Sequence, residues 1–149
     1  YQRQIAMAAR VLAEGGLGNE IGGHISLRVP GEDAYWSHIL DPALDELRPE
    51  HVVKLDWDNN VIYGDGFMSP GIDFHSGIYK LRPDVNAIVH LHSRYLSVLS
   101  SVEGRTIGMY NVGAVLFHDD QATYFDDGHK AHVSVADALG ENQALEKRV

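Results

Sequence analysis

The run His75-Ser76-Gly77-Ile78-Tyr79-Lys80-Leu81-Arg82-Pro83-Asp84-Val85-Asn86-Ala87-Ile88-Val89-His90-Leu91-His92-Ser93 decides the fold. Asp73 or a neighbour starts a helix that runs to Leu81, and Arg82-Pro83 ends it, because proline disfavours helix in the residue before it. Asn86–Leu91 is a short apolar run between turn signals and reads as a buried strand. Ser93 can then cap a further helix through Ser101. On a strand, residues two apart project from one face. His90 and His92 can therefore each offer a nitrogen to one metal ion, while Leu91 points to the core. The same short pattern fits two partly exposed histidines on a polar face. A protein metal site needs at least three ligands, so the pair is half a site at most. Further candidates are Asp73, His75 and His118, although a helix cap for Asp73 and a packed helix position for His75 are the commoner fates of such residues.

Working outward, Ile5, Ala8, Ala9, Leu12 and Ala13 fall at helical spacing and predict an amphipathic helix over residues 2–14, closed by Gly15-Gly16. A glycine-rich turn then leads into an alternating strand at 24–29. Here Ser26 and Arg28 are donors suited to a phosphate or carboxylate, and the glycines allow close backbone approach. The alternative is a plain turn into a strand with a solvent-facing arginine. A second strand is expected near Tyr35–Leu40, with Asp41 capping a short turn of helix at Pro42–Leu44. Two more strands flank Asp58-Asn59-Asn60, a hairpin turn in which asparagine tolerates the left-handed conformation. In the small-residue loop from Asp65 to Gly71, Ser69 and Gly71 could offer donors to an anion or simply belong to a connection. Beyond it the sequence suggests a weak strand at Gly113–Phe117, an acidic solvated loop from His118 to Asp127, and a helix at His129–Leu139. His129 and His132 share a face of that helix and read as surface residues. The alternation predicts one layered α/β domain around a mixed, largely antiparallel sheet.

Composition narrows the partners. The chain has 149 residues, 12 Lys+Arg and 21 Asp+Glu, a formal charge of −9 that argues against nucleic acid. No apolar run approaches the ~20 residues of a membrane span, so no membrane partner is expected. Cysteine is absent, which fits a cytoplasmic location and leaves imidazole and carboxylate as the metal ligands.

Taken in order, the helix, the Gly23-His24-Ile25-Ser26-Leu27-Arg28 turn and strand, the Ser69-Pro70-Gly71 loop and the run from His75 to Ser93 resemble the class II aldolase/adducin family. The resemblance extends from about Ala8 to Leu139 and is most specific at 75–93. It implies a three-layer α/β/α fold with a central mixed, mostly antiparallel sheet, and assembly as a homotetramer with the active site between subunits. It implies a divalent metal ion, zinc foremost with manganese or iron as alternatives, held by His90, His92 and a third histidine. That third ligand follows a helix ending Ala-Leu-Gly; only nine residues follow Gly140, so it is expected beyond Val149, with 1–149 a single domain lacking its C-terminal part.

Two departures bear on the reaction. His24 stands where the family's anion loop has asparagine, and Gly71 stands where aldolases and epimerases carry an acidic residue four positions before the histidine matching His75. Retro-aldol cleavage and decarboxylation share an enolate stabilised by the metal, but decarboxylation needs no base for a hydroxyl proton. The expectation is therefore a carbon–carbon lyase acting on a small oxygenated carboxylate, leaning to decarboxylation. His24, Ser26, Arg28, Ser69 and Gly71 are its expected substrate-binding residues, and His75 or Asp73 its proton donor. The alternatives are a phosphosugar aldolase, an iron-dependent oxygenase, and a non-catalytic assembly module like the adducin head.

Overall fold

The computed structural model describes residues 1–18, 22–102 and 106–121. Its elements are α1 (Gln2–Glu14), β1 (His24–Arg28), β2 (Ala34–His38), β3 (Val52–Asp56), β4 (Val61–Tyr63), α2 (Asp73–Leu81), β5 (Ala87–His90), α3 (Arg94–Ser100) and α4 (Val112–Val115). The sheet order is β4-β3-β2-β1-β5, and every pairing among the described residues is antiparallel. The chain meanders across four strands in reverse order and then crosses over through α2 to set β5 beside β1.

Strand alternation divides the core in two. Ile25 on one face of the sheet packs with Ile5 and Ala9 of α1 and with Leu44, Leu47 and Val52. Tyr35, Val53 and Leu55 on the other face pack with Ile72 and Tyr79 at α2. Helix, sheet and helix thus make the three expected layers. The β3–β4 hairpin turns as read: Asn59 has φ 66°, and the Asp56 carboxylate accepts from the Asp58 and Asn60 amides. No helix among the described residues is long and apolar enough to cross a membrane.

Three local expectations are corrected. β5 is an edge strand among the described residues, with Val89 51% exposed, because α1 lies over β1 to β3 and leaves that end of the sheet uncovered. Residues 42–44 are not helical; Leu44 and Leu47 reach the α1 core from a loop, and a single 3-10 turn forms at Pro49–His51. Gly113–Phe117 is not a strand, because the Asn111 side chain accepts from Ala114 N and starts the short α4. Asp126, Asp127, His129, His132 and the helix expected at 129–139 lie outside the described residues.

Candidate functional site

β1 carries His24, Ser26 and Arg28 on one face, pointing toward α2, and β5 pairs with β1 so that His90 lies opposite His24. These side chains meet three different surroundings. At the open end of the sheet, a cleft of about 420 Å³ is lined by Gly22, His24, Leu40, Ser69, Pro70, Gly71, Phe74, His90 and His92. His90 Nε2 and His92 Nε2 converge to 2.8 Å with their rings nearly perpendicular, and the His24 ring stacks on His90 at 4.5 Å. Leu91, between the pair, packs on the α1 core as alternation requires.

Glycines make room for these rings. A Cβ at Gly22 would lie 3.1 Å from the His92 ring, and one at Gly71 would lie 3.3 Å from His24 Nε2. The two departures noted in the sequence are therefore neighbours: the imidazole at 24 stands where a side chain at 71 would begin.

Behind the cleft, His75 is sealed at 0% exposure. Its Nε2 is 2.8 Å from His24 Nδ1 and its Nδ1 is 2.6 Å from Ser26 Oγ, which in turn is 2.7 Å from the Tyr79 hydroxyl. His75 and Tyr79 are four residues apart and share the buried face of α2. Burial, with the neighbouring His90, His38 and His92, lowers the His24 pKa to about 3. Burial, with His24, His90 and His38, lowers that of His75 to about 2. Burial and His92 also depress His90, while burial raises Tyr79 to about 12 against the opposing pull of Ser26 and Arg28. The imidazoles of His24, His75 and His90 are thus held neutral, because a proton on any of them is poorly solvated.

Arg28 differs from its expected place. Its guanidinium donates to the carbonyl oxygens of Tyr79, Arg82 and Val85 and lies over the Trp57 and Tyr79 rings at 5.2 and 4.7 Å. Arg28 donates to Tyr79 in the last turn of α2, to the C-cap residue Arg82 and to Val85 just beyond it, so it clamps the end of α2 to the sheet instead of lining the cleft. Ser26 is fully buried and Asp73 is exposed with its carboxylate on the Phe74 amide; neither lines the cleft. His118 is exposed and paired with Asp119. Of the predicted residues the structure gathers His24, His90, His92, Ser69 and Gly71 at the cleft. The sequence reading missed Leu40, Phe74 and Tyr79; for Tyr79 the available signal was its four-residue spacing from His75.

The His90–His92 geometry fits a cation. Two imidazole nitrogens on one tetrahedral zinc ion stand about 3.3 Å apart, so the 2.8 Å approach has only to open slightly. Among the described residues no third His, Asp or Glu completes a cluster with them.

The sequence matches the family described as Class II Aldolase and Adducin N-terminal domain over residues 3–148. It is similar to a 5-deoxy-D-ribulose 1-phosphate aldolase of Bacillus thuringiensis, 34% identical over 103 residues, which are 68% of this chain and 47% of that protein. It is also similar to a 3,4-dihydroxyphthalate decarboxylase of Arthrobacter keyseri, 38% identical over 97 residues, 59% of this chain and 38% of that protein. The solved L-fuculose 1-phosphate aldolase of Glaciozyma antarctica shares the fold, with a TM-score of 0.79 at 24% identity, covering 99% of this chain and 57% of that one. The chain spans about half the length of the curated relatives it matches.

Proposed function

We propose, on the premise that this chain belongs to the class II aldolase and adducin N-terminal domain family, that it is the metal-binding part of a carbon–carbon lyase that decarboxylates a small oxygenated carboxylate. The observation that carries this reading is the convergence of His90 Nε2 and His92 Nε2 on the cleft. In it these two nitrogens hold a divalent ion, zinc foremost, with a further ligand from outside the described residues. Such an ion supplies Lewis-acid chemistry, drawing electron density from substrate oxygens.

The cleft's own residues support decarboxylation over retro-aldol cleavage. Retro-aldol cleavage needs a base for a hydroxyl proton, and no carboxylate is among the described cleft-lining residues. Loss of CO₂ breaks one C–C bond, leaves the electron pair on the substrate carbon and then requires one proton there. His24 lines the cleft with His75 behind it; held neutral, it is suited to bind a substrate oxygen, and the proton for that carbon comes from solvent. No Lys or Arg lines the cleft among the described residues, which disfavours a phosphoryl group, while Leu40, Pro70 and Phe74 offer apolar walls to a flat oxygenated ring. Similarity to the dihydroxyphthalate decarboxylase supports the same direction. The longer match to the ribulose-phosphate aldolase keeps retro-aldol cleavage as the second reading.

Elemental analysis of the protein purified without chelators tests the metal reading. We expect near-stoichiometric divalent metal, reduced at least tenfold in His90→Ala and His92→Ala. Equal metal content in all three proteins would remove the proposed site. Release of CO₂ from dihydroxylated aromatic acids, compared with cleavage of ketose 1-phosphates, separates the two reactions.

A further inference from the structure

His24 is the outer end of a line of four side chains that runs inward through His75 and Ser26 to Tyr79. Each link can be polarised in either direction, and the inner end decides which. Tyr79 is 1% exposed, and Ser26 Oγ is the one acceptor its hydroxyl meets among the described residues. If Tyr79 accepted from Ser26 instead, its proton would be buried without a partner, which is costly. Tyr79 therefore donates to Ser26 Oγ, and Ser26 donates to His75 Nδ1. A neutral His75 with Nδ1 as acceptor carries its proton on Nε2 and donates it to His24 Nδ1. His24 then carries its own proton on Nε2, the nitrogen beside Gly71, in a ring that is only 2% exposed but lines the cleft.

We propose that Tyr79, acting through Ser26 and His75, fixes His24 in the Nε2–H tautomer, so that the cleft receives a hydrogen-bond donor for an anionic substrate oxygen. The consequence for selectivity is direct. The His24 ring stacks on His90, and a bare Nε2 there would compete as a nitrogen ligand; a protonated one cannot. Tyr79, Ser26 and His75 are positioning residues. That the donor meets a substrate carboxylate rests on the proposed lyase reading; the tautomer does not.

The test is long-range ¹H–¹⁵N correlation NMR on the chain labelled with ¹⁵N-histidine, without added metal, at pH 7.5. Protonated and bare ring nitrogens resonate far apart. We expect His24 and His75 both to show the Nε2–H pattern, and Tyr79→Phe and Ser26→Ala each to turn this into a mixture of tautomers while far-UV circular dichroism is unchanged. A His24 signal of the Nδ1–H form in the unaltered protein would overturn the assignment without any variant. Unchanged tautomers in both variants would overturn the role of Tyr79. Zinc titration of the same samples is read separately: failure to bind zinc counts against the metal reading and leaves the tautomer standing.

Discussion

Acid is predicted to unfold this protein in a window set by histidine, well above the range where carboxylates titrate. His24 and His75 have folded-state pKa values lowered to about 3 and about 2, while an unfolded histidine titrates near 6.5. As pH falls below about 6.5 the unfolded chain takes up protons that the folded chain refuses, so stability falls. The loss continues until pH reaches the folded values. Between pH 7.5 and 4.5 a histidine delayed in this way contributes about 2.7 kcal/mol of destabilisation. The two rings share a hydrogen bond and titrate as a pair, so their joint effect lies between one and two such contributions, about 3–5 kcal/mol. His38 and His90 add in the same direction, and His38 has a buried Nε2 without a hydrogen-bond partner among the described residues. The sum is comparable with the whole stability of many domains. Asp56 and Asp84 have lowered carboxyl pKa values, held by Asn60 and Arg82, and their stabilisation is present above about 4 and lost only as pH falls further. The assay is urea unfolding of chelator-treated protein at pH 7.5, 6.5, 5.5 and 4.5. A change smaller than about 1 kcal/mol across that range would refute the claim that these imidazoles are neutral and buried together.

Two further substitutions test the packing around the site. Arg28→Ala removes the donor for three backbone carbonyls and two ring contacts, and we expect a loss of about 3–5 kcal/mol in urea unfolding, with Arg28→Lys recovering only part because an ammonium lacks the planar fork. Gly71→Ala places a methyl 3.2 Å from the Phe74 ring and 3.3 Å from His24 Nε2. It is expected to cost about 1–2 kcal/mol and to shift the His24 NMR signals, whereas unshifted signals would mean that the ring does not occupy that space.

Elements with a local signature were legible in the sequence. Helix α1, the Asn59 turn, the end of α2 at Arg82-Pro83 and the shared face of His90 and His92 follow from periodicity and turn chemistry within a few residues. What the sequence could not place depends on partners far along the chain. Arg28 looked like an anion donor, because nothing local reveals that α2, some fifty residues on, ends with carbonyls directed at it. The apolar run at β5 read as a buried strand, yet burial depends on whether a helix covers it. At α4 the signal was present, since Asn111 precedes Ala114 by three residues as a cap does, but a short Val-Gly-Ala-Val run carries little helical weight.

The one face of β1 shows why the site and the fold are not separable. Residues 24, 26 and 28 are spaced by the strand repeat alone, and the same helix α2 meets all three. Arg28 anchors the C-terminal end of that helix; Ser26 meets its middle at Tyr79 and His75; His24 stands at its N-terminal end, beside the cleft. The hydrogen bonds at Ser26 are 2.6 and 2.7 Å long, so a slide of α2 by even one ångström would break the line to His24 while leaving most apolar contacts intact. The register of helix on sheet, set at the far end by a clamp that touches no substrate, therefore determines what His24 presents to the cleft. A variant that loosens the clamp should disturb the His24 tautomer before it unfolds the chain, so Arg28→Lys should shift the His24 NMR pattern while far-UV circular dichroism is unchanged.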